Sequence, residues 1–294
     1  MELKGYIFAI LVGIGWGTVG LFFTEMSKYN MGVYDIITAR MLFAFIAGII
    51  HIIYTKGIKE LKISLGSLKT AALMGIVAQG LVNVFLFLSI EKSGVIVATL
   101  LMSLGPVFTL IFSRILYKEK LNKGKINALI LTAIGTIILV TNGSFINLEF
   151  NFLGVIYGLL SGICFGLYPI ISKSISGNNN PNVVMIYSFV IVVIMLLPFL
   201  NVGNFITYHK LTANFLISIL FAVVPTLLCH LLFIKSLNYI SATKAGIITL
   251  LQIPAATMFG IMFLNEQISI WKIIGIILII IGILLIKMQD KEKN

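Results

Sequence analysis

Apolar residues run along this chain in long blocks, not at the 3.6- or 2-residue periods of half-buried elements, and short polar stretches divide the blocks. Each block is roughly 17 to 25 residues long, the length that carries a helix across a hydrocarbon core. Ten are read, over 5–24, 33–54, 70–89, 94–116, 125–142, 152–172, 183–200, 214–235, 242–264 and 271–287. The pattern predicts an all-α membrane protein of ten transmembrane helices. The first block is too long, and too like the blocks after it, to read as a cleaved signal peptide. Composition agrees: 59% of residues are hydrophobic, 11% are charged, and the mean hydropathy is +1.09. A soluble domain carries about one quarter charged residues.

The chain is also written twice. Gly13, Ile14, Trp16 and Gly17 are answered in order by Gly162, Ile163, Phe165 and Gly166, and Pro106, Glu119 and Gly135 by Pro254, Glu266 and Gly282. This gives two repeats, 1–143 and 144–294, meeting in a polar stretch with Asn142, Gly143 and Ser144. Five spans per repeat is an odd number, so the second repeat enters the membrane from the opposite side. Charge supports this inversion. The connection after the fourth span carries Lys118, Glu119, Lys120, Lys123 and Lys125, whereas its counterpart after the ninth keeps only Glu266 and Lys272, with Trp271 suited to an interface. With both termini cytoplasmic, only Lys28, Arg40, Lys92, Lys210 and Lys272 of the 21 Lys and Arg fall outside, while the 56–69 loop, the 114–125 loop and the tail from Lys287 fall inside. This bias accounts for the net charge of +11 without a nucleic-acid partner. The two cysteines, Cys164 and Cys229, lie within apolar blocks and read as small buried residues, not as a redox or metal pair.

The ordered landmarks Trp16-Gly17, Arg40, the stretch from Ala98 through Pro106 to Glu119, Gly135, Lys173, the stretch from Ala242 to Pro254, Glu266 and Gly282 resemble the EamA family of the drug/metabolite transporter superfamily. The resemblance covers nearly the whole chain. It departs at Thr24, where family members often carry Lys, and at Phe165, which replaces the second Trp. The resemblance implies a central substrate cavity walled by spans one, three, four, six, eight and nine, with five and ten peripheral. A homodimer through those peripheral helices is a further expectation, and no metal or cofactor is implied.

Polar side chains deep in a span are costly unless they face a cavity or a neighbouring helix. Gln79 and Asn83 stand one turn apart on the third span, and Thr226 and His230 stand one turn apart at the corresponding place on the eighth. Ser103 and Thr99 on the fourth span, Gln252 and Thr249 on the ninth, and Trp16, Ser161, Tyr168 and Ser172 on the first and sixth complete the candidate lining. For the hydroxyls the competing reading is interhelical hydrogen bonding; for Trp16 and Tyr168 it is aromatic packing. Arg40 either snorkels to the interface or pairs with Asp35, or it attracts a substrate carboxylate. Gly105, Pro106 and Pro254 read as hinges, because a proline inside a helix leaves a carbonyl unpaired. Glu119 and Glu266, at helix ends, read as packing or capping groups. The glycine run Gly13–Gly20 lacks the GK[ST] ending of a phosphate loop.

These observations favour a secondary transporter of a small polar metabolite, an amino acid or related zwitterion, with export the expected direction by resemblance and the bacterial cytoplasmic membrane the expected location. An organic-cation transporter is the alternative, weakened because no carboxylate lies inside a span. An intramembrane enzyme has no HExxH, GxSxG or paired midplane Asp to support it.

Overall fold

The computed structural model describes residues 2–120, 122–145, 151–176 and 180–288. Part of the stretch joining the repeats, part of the 177–181 break and the basic tail past 288 lie outside these. All regular elements among the described residues are helical.

Among the described residues, eight helical stretches are long and apolar enough to cross a membrane: Glu2–Ser27, Val33–Lys56, Leu65–Met102, Lys123–Thr141, Phe152–Ile175, Pro181–Phe199, Thr212–Ser236 and Ala242–Phe263. Gly105–Tyr117 and Ile270–Ile286 are shorter apolar helices. The third stretch has 38 residues, about 57 Å of helix and nearly twice the hydrocarbon thickness. It reverses at Gly94, whose φ of 76° and ψ of 166° are open to glycine at little cost. Residues 65–93 form the third span, and 95–117, continuing through Gly105–Tyr117, form the fourth. With Ile270–Met288 as the tenth, the architecture is the ten-span one. The chain begins and the tenth span ends on one face, hereafter the terminal face; the opposite side is the far face.

The repeats share their irregularities as well as their spans. The third span widens into a π-helix over Met74–Leu81 and the eighth over Ala222–Leu228. The fourth span is interrupted at Ser103 and Leu104, and the ninth at Leu250 and Leu251, by tight turns in which the N–H groups of Leu104 and Val107, and of Leu250, Leu251 and Ile253, bond three residues back. Pro106 and Pro254 sit in the first turn of the helices that resume, Gly105–Tyr117 and Gln252–Phe263, where their missing N–H costs little. The prolines restart helices here instead of kinking continuous ones.

The repeated glycines explain the packing. An added Cβ on Gly13 would stand 2.9 Å from Leu251 Cβ and one on Gly17 2.5 Å from Ala255 Cβ, so the first span lies against the ninth. In mirror fashion, a Cβ on Gly162 would meet the Leu101 carbonyl oxygen and one on Gly166 the Gly105 carbonyl oxygen, both at 2.6 Å, so the sixth lies against the fourth. Spans five and ten pair with each other through Gly135, Gly275 and Gly282.

Candidate transport cavity

Two adjoining chambers open between the repeats. The larger, about 560 Å³, lies toward the far face, and the smaller, about 160 Å³, lies deeper; Trp16, Val19, Met102, Phe165 and Gln252 line both. The deep chamber adds Arg40, Gln79, Asn83, Tyr168 and His230. Ser103 and Thr99 line the larger one. Of the candidate lining residues, Ser161, Ser172, Thr226 and Thr249 reach neither chamber. Thr226 is 1% exposed and donates to the Phe221 carbonyl at 3.1 Å, and Thr249 donates to the Gly246 carbonyl at 2.8 Å.

The widened turns determine how the polar pairs point. A π turn displaces backbone hydrogen bonds and leaves carbonyls to be met by other donors. In the third span Asn83 Nδ2 donates to the Gln79 carbonyl at 2.6 Å, and in the eighth His230 Nδ1 lies 2.6 Å from the Thr226 carbonyl. A carbonyl only accepts, so His230 Nδ1 carries a proton, and in the neutral imidazole Nε2 is the acceptor. Gln79 spends its amide on the seventh span, with Nε2 3.1 Å from Ser188 Oγ and 3.3 Å from Met185 Sδ. It therefore braces the wall it lines.

An aromatic cluster surrounds this floor. The Trp16 ring lies 5.5 Å from Tyr168, 5.6 Å from His230 and 5.7 Å from Phe233, the last stacked. Tyr168 is 3% exposed, and its hydroxyl meets no hydrogen-bond partner among the described residues. Arg40 is partly buried, its Nε is shielded from solvent with no partner among the described residues, and its guanidinium carbon stands 5.5 Å from the Phe221 ring centroid. Asp35, the alternative partner in the sequence reading, is committed elsewhere: Oδ1 accepts from Asn201 N at 2.8 Å and Oδ2 from Gly32 N at 3.0 Å. The deep chamber thus holds one cation and, among the described residues, no carboxylate to balance it.

Gly105 is close-packed. A Cβ there would stand 2.5 Å from the Phe165 ring, which makes it a contact point between the fourth and sixth spans. Sequence reading does not place Phe165 or Met102 in the lining, because apolar residues carry no signal that separates them from core. It also reads Glu266 and Thr24 without placing them at the mouth of the larger chamber, where both lie with Lys272.

Toward the terminal face the passage is sealed. Tyr117 Oη donates to the Ile170 carbonyl at 2.9 Å, and the Lys173 ammonium stands 4.9 Å from the Tyr117 ring centroid. Lys125 Nζ donates to Glu119 Oε1 at 2.6 Å with both side chains 11% exposed. Burial alone would raise the Glu119 carboxyl, but Lys125 and the neighbouring hydroxyls of Ser241 and Thr243 hold it below the ordinary carboxylate range.

Comparison with known proteins gives this architecture its place. The sequence profile of the EamA-like transporter family matches residues 3–141 and again 152–288. A Clostridium kluyveri protein described as an uncharacterized transporter is 27% identical over 99% of this chain and 95% of its own length. A Methanocaldococcus jannaschii protein, MJ1333.1, is 32% identical over 46% of this chain and 97% of its own length. One solved crystal structure superposes over 100% of both chains with a TM-score of 0.79 at 14% identity, a likeness of fold. Ten spans in two repeats, a cavity between them and a family profile matched twice lead to one conclusion: this chain is an integral, multi-pass membrane protein that belongs to the EamA-like transporter family.

Proposed function

We propose that the chain is a secondary transporter that exports a small polar metabolite, an amino acid or related zwitterion, by alternating access. The observation that carries this reading is Arg40, a guanidinium in the wall of the deep chamber with no anionic partner among the described residues. A substrate carboxylate supplies the missing charge, and the planar guanidinium suits two parallel hydrogen bonds to it. Gln252, Asn83 and His230 Nε2 offer further polar contacts, and the faces of Trp16 and Tyr168 accept an ammonium group. An organic cation would meet the Arg40 charge with nothing to offset it, which disfavours the alternative.

The positive-inside bias of the loops supports a cytoplasmic terminal face, and on that reading the larger chamber opens outward, the state from which an exporter releases its cargo. The relative from Clostridium suits a bacterial cytoplasmic membrane.

A thermal-shift screen of purified protein against amino acids, amines and nucleosides tests the substrate class, because a ligand that binds only the folded state raises its apparent stability. An amino acid is expected to stabilise the protein, and Arg40→Ala is expected to abolish that shift, with Arg40→Lys recovering part of it. Stabilisation by amines alone would replace this reading with the cation one.

A further inference from the structure

The two repeats end their fourth and ninth spans in loops of matching geometry. Lys118 and Asn265 take the left-handed conformation with φ of 51° and 55°. The next residue is a glutamate whose N–H bonds six residues back, Glu119 to Ser113 O and Glu266 to Gly260 O, both at 3.2 Å. Six residues on, a lysine pairs with it: Lys125 with Glu119 at 2.6 Å and Lys272 with Glu266 at 2.9 Å. Each lysine also donates to the carbonyl after its glutamate, Lys120 O and Gln267 O, at 3.0 Å. The surroundings differ. Glu119 is buried in the terminal-face seal against the head of the ninth span, whereas the Glu266 side chain is 47% exposed at the mouth of the larger chamber.

The repeat relation gives each seal residue a counterpart. Ile170, Lys173, Thr243, Tyr117, Glu119 and Lys125 correspond to Leu21, Thr24, Val95, Leu264, Glu266 and Lys272. All six counterparts line the larger chamber. The open mouth is therefore walled by the residues that, in the other repeat, make the closed seal.

We propose that Glu266, held by Lys272, is a latch that closes the far mouth by docking on the head of the fourth span at Ser93–Val95, while Glu119 releases the head of the ninth at Ser241–Thr243. The proposal rests on the transporter reading but not on any substrate. The two seals are unequal. Tyr117 donates to a carbonyl and meets a lysine ammonium, whereas Leu264 has no donor and faces Thr24 in place of a lysine. Thr243 places a fully buried hydroxyl beside Glu119, and Val95 has none. The far seal is weaker by these contacts, so the chain rests open on the far face and substrate must drive closure.

The test is disulfide formation between Leu21→Cys and Leu264→Cys in a background of Cys164→Ala and Cys229→Ala, which reports closure of the far mouth without substrate. Val95→Thr is expected to raise the cross-linking rate about tenfold and Glu266→Gln to lower it about as much, the effect of one hydrogen bond to a charged group. Glu119→Gln is expected to raise it, by weakening the opposing seal. Val95→Thr lies away from the terminal seal and carries the test if Glu119→Gln fails to fold. An unchanged or lower rate in Val95→Thr, or no cross-link in any background, overturns the latch. Cross-linking that keeps to this pattern in a protein that no amino acid stabilises keeps the latch and removes the substrate reading alone.

Discussion

The third and eighth spans carry the same backbone device and fill it with different chemistry. Both widen by a π turn, and in both a side chain four residues on caps the exposed carbonyl, Asn83 above Gln79 and His230 above Thr226. In the eighth span Pro225 lacks an N–H and sits inside the turn; in the third the equivalent residue is Ala78, and close approach to the seventh span at Gly75 and Gly80 takes its place. The widening is thus a property of the fold, reached by a missing donor in one repeat and by missing side chains in the other. What diverges is the face it presents: an amide from one side of the deep chamber and an imidazole from the other.

The largest effect is expected where the device depends on packing. Gly75→Val places a side chain where Cβ alone stands 2.6 Å from the Ser188 backbone oxygen, which cannot retreat as a flexible side chain can. Overpacking of this kind costs about 3 kcal/mol. Thermal unfolding in detergent should show it, and a variant as stable as the parent would mean the seventh span yields.

A second substitution separates the shared role of Asn83 and His230 from their separate ones. His230→Leu leaves the Thr226 carbonyl unpaired and removes a polar contact from the chamber, and transport is expected to fall roughly tenfold or more. His230→Asn, which installs the residue used by the first repeat, restores the cap and should recover stability. If it recovers full transport too, the imidazole has no role beyond capping.

The smallest effect is expected at Pro225. Pro225→Ala gives the eighth span the residue of the third, and the third shows that alanine coexists with the π turn. Stability should change by less than about 1 kcal/mol. A larger change, read by the same unfolding assay, would show that proline holds the turn open.

The number of spans, their inversion and most of the chamber's polar lining were legible in the sequence, because apolar block length and the costliness of buried polar groups leave few alternatives. Gln79, Asn83, Tyr168, His230 and Gln252 all reach the chambers. Thr226 does not, because helical spacing places a residue on a face but cannot show that a hydroxyl will turn back to its own backbone. The π turns carried no periodic signal, and a proline such as Pro225 reads the same whether it kinks or widens a helix. The seal on the terminal face was equally hidden, since Tyr117 and Ile170 meet only through tertiary packing.

The pairing of spans five and ten has a consequence for how such a chain arises. Gly135 meets Gly275 and Ile279, and Gly282 meets Ala128 and Thr132, which is the same contact made twice under exchange of the repeats. An interface of that kind is the self-complementary one of a two-fold dimer. Two separate chains of one repeat each would form it by lying antiparallel in the bilayer, so a single gene product would have to insert in both orientations. Joining the copies lifts that requirement. Each half becomes free to take the loop charges of its own orientation, and the residues after Glu266, which keep Lys272 but have Gln267 and Ile270 where the first repeat has Lys120 and Lys123, record that freedom in the sequence.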